Sequence, residues 1–169
     1  MTNWRGMTPF ILLATLLVGC GQTGFTTQQE AVADIAPVAS PQILVSVDAG
    51  VGTVAFVDGK PGVGYTYLLR QGPHGWYSGL GGGGSLYPIG NGCITWGGGG
   101  VQDMHFRWDY GHIIDDRVVR VTIEAHGITG EATVKGDAYL SVIEGVPNLD
   151  VENVTAYDAQ GVILCQQVY

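Results

Sequence analysis

Residues 105–116, HFRWDYGHIIDD, gather two histidines and three aspartates, side chains from which metal sites and acid–base pairs are built. His105 and Asp109 fall on one face of an extended strand but four residues apart, about 13 Å at the strand rise. Metal ligands must converge to about 2 Å from one ion, so this pair alone makes no site. His112 with Asp115 or Asp116 can converge in a turn, and the same residues equally suit a polar hairpin loop. An envelope hydrolase or metal-dependent enzyme using His105, Asp109, His112 and Asp115 is therefore the alternative to a binding domain. No other catalytic set stands out. Gly-x-Ser-x-Gly is absent, and Ser85 beside a glycine tract lacks the strand–turn–helix setting of a nucleophile. No cofactor is implied.

Two glycine tracts, GLGGGGS at 79–85 and WGGGG at 96–100, invite comparison with phosphate loops. Neither is followed by the Lys-Ser/Thr that would touch phosphate and magnesium, and neither opens a helix. They predict mobile loops, with close backbone approach to a ligand left open. Trp76, Tyr77, Tyr87 and Trp96 lie in or beside these segments. Gathered at one end of the fold they would form a platform for carbohydrate or peptide; dispersed, they would pack core and edges.

The elements that must position these residues are short strands. Glycine makes up 28 of the 169 residues, and Val and Ile are frequent, a composition that favours strands and turns over helices. Ile43, Val45 and Val47 alternate. Residues 53–57 and 65–70 flank the turn-rich DGKPGVG at 58–64, which reads as a hairpin. Met104, Phe106, Trp108 and Tyr110 take every second place, as do Val119, Val121, Ile123 and Ala125. Val154 and Ala156 precede a turn at 158–161 that leads into residues 162–168. Period-two alternation predicts strands with one face buried and one wet. The expected fold is all-β, an antiparallel β-sandwich or small barrel.

The formal charge of −8 argues against a nucleic-acid groove or a basic lipid-binding face. The N-terminus carries a different signal. Arg5 is followed by the apolar run PFILLATLLV at 9–18, too short for the roughly 20 residues that span a bilayer. Leu17-Val18-Gly19-Cys20 then resembles the lipobox of bacterial lipoproteins. The resemblance implies cleavage before Cys20, a diacylglyceryl thioether on its sulfur, and anchoring to an extracytoplasmic membrane face by two or more acyl chains. On this reading residues 1–19 are a signal peptide, 20–41 a lipidated cysteine with a flexible linker, and 42–169 one β-domain. A short helix at 28–35 is compatible with the linker but too short to stand alone.

With Cys20 set aside, Cys93 and Cys165 form an even pair in an oxidising compartment, expected as a disulfide or else as two buried thiols. The C-terminal half also resembles a β-domain of many secreted or surface-attached bacterial proteins of unassigned function. The likeness rests on V-x-x-V-x-V at 118–123, a glycine turn at 127–130, an apolar strand at 139–143, and VTAYDAQGVI at 154–163. It implies an extracytoplasmic sandwich-like domain and transfers no catalytic residue. The expected function is a lipid-anchored, non-enzymatic envelope domain binding a protein or glycan; a purely structural lipoprotein is a further alternative.

Overall fold

The computed structural model describes residues 24–147 and 150–169. The lipobox-like stretch at 17–20 lies outside the described residues. The fold is all-β and antiparallel, built from open sheets with none closed into a barrel.

The first sheet is a meander of β1 (Ile43–Ala49), β2 (Gly52–Asp58), β3 (Val63–Gly72) and β4 (Gly75–Ser85), in that order. Its β2–β3 hairpin pairs Asp58 with Gly64 and Val57 with Tyr65, as the turn signals at 58–64 predicted. The middle sheet takes β5 (Tyr87–Ile89), β6 (Ile94–Val101), β7 (Phe106–His112), β10 (Thr133–Lys135) and β11 (Ala138–Glu144), ordered β10-β11-β7-β6-β5. The third sheet, ordered β13-β12-β8-β9, consists of β8 (Arg120–Ala125), β9 (Ile128–Glu131), β12 (Asn153–Tyr157) and β13 (Ile163–Val168). Ala125 pairs with Ile128 across a two-residue turn in which His126 and Gly127 both have positive φ, the backbone that matches strand twist.

Two apolar cores glue the three sheets. Val45, Val54, Phe56 and Leu68 of the first sheet meet Phe106, Trp108, Tyr110 and Leu140 of the middle one. On its other face the middle sheet sets Ile89, Ile94, Tyr139 and Ile143 against Val121, Ile123, Val154 and Ala156 of the third. The Cys93–Cys165 disulfide, with Cα atoms 6.2 Å apart, ties the β5–β6 turn to β13 and so staples middle sheet to third. Closing a loop across a sequence separation of 72 removes up to about 4 kcal/mol of unfolded-chain entropy.

Three expectations change. First, β7 has no wet face. A sheet covered on both sides buries both alternating sets, so Arg107 and Asp109 are buried at 2% and 0% exposure. Met104 leaves the pattern altogether. It sits half-exposed in a 3₁₀ turn (Gln102–Met104), and His105, with φ 50°, breaks the run before β7 begins.

Second, the glycine tracts are strands, not mobile loops. In β4, a Cβ on Gly81 or Gly83 would collide with the rings of Tyr67 and Tyr65, which lie across the strand from β3. In β6, a Cβ on Gly99 would come within 3.1 Å of the Trp108 indole, and one on Gly98 within 2.8 Å of Asp109 Oδ1. The glycines supply the room that large neighbours on β3 and β7 occupy.

Third, residues 25–41 are docked, although they read as part of a spacer. The helix α1 (Gln28–Ile35) falls where the sequence allowed one and is closed by a capping box between Thr27 and Glu30. Ala31 and Val32 are fully buried against Ala55, Val57 and Leu69, on the outer face of the first sheet. Phe25 bridges to Trp76, and Gln29 accepts from the Ile43 amide at 3.2 Å. Tertiary burial supplies the stability that eight residues lack alone. A free spacer would have to precede Gly24, outside the described residues.

The buried pair dictates a stability test. Arg107→Met leaves the Asp109 charge without its main partner and is expected to cost about 3–5 kcal/mol in urea denaturation, whereas Arg107→Met with Asp109→Leu should cost clearly less.

Candidate functional site

On the face of the middle sheet that looks toward the third, β6 alternates Ile94, Trp96 and Gly98 while β7 contributes Arg107 and Asp109. The Arg107 Nε donates to Asp109 Oδ2 at 2.8 Å and its Nη2 to Oδ1, a two-point pairing. Trp96 Nε1 donates to the same Oδ1 at 2.9 Å. Burial pushes the Asp109 carboxyl above its ordinary range; Arg107 and the Trp96 N–H pull it back without cancelling that rise. The pair therefore acts as a fixed dipolar post that holds the Trp96 indole by its N–H.

Above that post lies a cleft of about 630 Å³, lined by Trp96, His126, Asp150, Val151, Glu152 and Tyr169. The rings of Trp96 and Tyr169 stand 5.1 Å apart at 44°, forming one aromatic corner. Tyr169 is placed by its amide, which donates to the Glu152 carbonyl at 3.0 Å. Burial first, and the nearby Asp109 charge second, raise its phenol above the ordinary value. The Gly127 amide donates to Glu152 Oε2 at 3.2 Å, so the β8–β9 turn holds one carboxylate at the rim. Tyr87 is the cross-strand partner of Trp96 and keeps 59% of its surface exposed beside the corner.

The four aromatics singled out in sequence therefore divide. Tyr87 and Trp96 come together on the middle sheet. Trp76 and Tyr77 stay on β4 of the first, Trp76 packed with α1 and its neighbours, Tyr77 laid across Gly72. Tyr169, His126, Asp150 and Glu152 were not expected at the site. Each is brought by the β12–β13 or β8–β9 hairpin, from 30 or more residues away in the chain, and no local pattern announces that reach.

The segment 105–116 does not converge. His105 faces the Val146 carbonyl at 3.2 Å, and Asp109 is consumed by Arg107. His112 Nε2 lies 3.8 Å from Asp58 Oδ1. Asp115 accepts from the Arg117 side chain at 2.6 and 3.0 Å, while Asp116 joins no other candidate. Among the described residues no three His, Cys, Asp or Glu side chains form a metal-binding group.

Fold and cleft define an all-β protein with an aromatic corner rimmed by carboxylates. No family model, no curated protein and no solved structure matches the chain. The segments carrying the C-terminal resemblance map onto β8, β9, β12 and β13 of the third sheet and β11 of the middle one.

Arg117 hydrogen bonds hold the Asp115 carboxyl at about 2, below its ordinary 3.8. A depressed carboxylate stabilises the fold above the unfolded value, and that contribution disappears as pH falls from 3.8 toward 2. NMR titration of the side-chain carboxyl should give a midpoint near 2, returning close to 3.8 in Arg117→Ala.

Proposed function

We propose that this chain is a lipid-anchored extracytoplasmic bacterial domain that binds a hydroxyl-rich, uncharged glycan of the cell envelope in the Trp96–Tyr169 cleft. The observation that carries the binding role is the immobilised indole: Trp96 is held by Asp109 and flanked by Tyr169 and Tyr87. Sugar rings present C–H faces that pack on such surfaces, and their hydroxyls donate to carboxylates such as Asp150 and Glu152 at the rim. Acidic groups at the rim and a net charge of −8 favour an uncharged glycan over an anionic one. The lipobox-like Leu17-Val18-Gly19-Cys20 supports the anchor, and the Cys93–Cys165 bond suits an oxidising compartment.

Two measurements test the parts separately. Isothermal titration of the full chain against neutral cell-envelope oligosaccharides should show binding that Trp96→Ala weakens by more than tenfold and Tyr87→Ala by less. Absence of binding to every neutral oligosaccharide, with strong cell-wall retention, would favour the purely structural role. For the anchor, Cys20→Ser should shift the protein from the membrane to the soluble fraction and abolish lipid labelling; unchanged fractionation would remove it.

A further inference from the structure

The opposite face of β6 carries a second, separate cavity. Where the first and middle sheets meet at one edge, the glycine strands β4 and β6 stand face to face around a slot of about 480 Å³. Volumes of this order are typical of small-molecule sites. β4 is an edge strand, and β5 covers only 94–96 of β6, so the slot opens between two unpaired strand edges. The crossover between the two strands passes through buried Leu86, whose side chain a Cβ on Gly97 would touch at 3.1 Å. Leu80 and Val101 supply its aliphatic lining. Trp108 forms the floor, with its Nε1 donating to Thr66 Oγ1 at 2.8 Å and so locking the indole to the first sheet.

Not every glycine here answers to packing. Gly81, Gly83, Gly98 and Gly99 make way for side chains already described. Gly82 does not: a Cβ there would meet nothing within 4 Å, and its φ lies outside the left-handed region. Pairing with Thr66 places it on the inner face, at the middle of the slot. Glycine inside a strand weakens it, so leaving this position bare keeps a space open at a cost to stability.

A second observation says what the space faces. Tyr110 is only 3% exposed, and its hydroxyl has no hydrogen-bond partner among the described residues. That oxygen stands 3.4 Å from the Cβ position of Gly84, and both residues line the slot. The oxygen is not sealed away but reachable from the slot, a donor and acceptor that no group among the described residues satisfies.

We propose that the slot binds an uncharged planar aromatic molecule bearing an oxygen substituent, with the ring against Trp108 and the oxygen hydrogen-bonded to Tyr110. No Asp, Glu, Lys, Arg or His lines it, so nothing there would pair with a charge buried in the slot. Side-chain-free walls on two facing strands suit a flat body. A bare acyl chain entering tail-first would leave the Tyr110 hydroxyl against a methyl group, desolvated and unpaired.

The test uses the full chain with 2-naphthol, naphthalene and 1-decanol as probes, read by saturation-transfer NMR and isothermal titration. Wild type should bind 2-naphthol in preference to both other probes. Tyr110→Phe should weaken 2-naphthol by up to about tenfold and leave naphthalene unchanged. Gly82→Leu should abolish 2-naphthol binding, keep cooperative unfolding with a midpoint no lower than wild type, and leave oligosaccharide binding at Trp96 intact. Should the leucine prevent folding, Gly82→Ala should still weaken binding. No binding of 2-naphthol to wild type, undiminished binding in the folded Gly82 variants, or tighter binding of 1-decanol would each overturn the proposal.

Discussion

Arg107 and Asp109 are sealed inside the middle sheet, and their pairing is the condition for burying β7 on both faces. A lone carboxylate or guanidinium there would carry an unmet desolvation cost of several kcal/mol, on the order of a small domain's net stability. Paired, the two charges become a rigid polar unit surrounded by apolar packing. Much else is arranged around it. Gly98 must be bare because its Cβ would strike the pair, and Trp96 is oriented by donating its N–H to Asp109. The aromatic corner of the cleft is thus a consequence of how a charge was accommodated in the interior.

The same middle sheet explains why the molecule has two cavities of different character. Successive residues of β6 point to opposite faces, so Trp96 and Gly98 belong to the polar side, while Gly97 and Gly99 belong to the apolar one. Toward the third sheet, turns carry Asp150, Glu152 and His126 to the rim of an open cleft. Toward the first sheet, the rings of Tyr110 and Trp108 on β7 fill the space beside Gly97 and Gly99, and the slot remains where Gly82 has no ring across it. One strand therefore forms a wall of each.

How far the chain could be read without its fold depended on whether the relevant partner was near in sequence. The β2–β3 and β12–β13 hairpins were legible because turn residues and alternation sit side by side. The helix at Gln28–Ile35 was legible as a segment, but its docking was not, since Ala31 and Val32 are buried by β2 and β3. The glycine tracts misled for the same reason. Their strand character is imposed by Tyr65, Tyr67 and Trp108 from neighbouring strands, and glycine itself has weak strand preference. Of the candidate aromatics, composition picked out Tyr87 and Trp96, yet Tyr169 becomes part of the corner only through the β13–β12 pairing.

The sequence by itself determined the all-β class, the antiparallel hairpins and the pairing available to Cys93 and Cys165, because alternation, turn chemistry and cysteine count are local or compositional properties. It also holds the lipobox pattern at Leu17-Val18-Gly19-Cys20, on which the proposed address rests. Tertiary structure alone decided that β7 has two buried faces and that the histidines and aspartates of 105–116 disperse rather than converge. It alone decided, too, which glycines hold space for a ring and which leave a cavity. Period two says that side chains alternate, but whether each face meets water or another sheet depends on layers contributed from elsewhere in the chain.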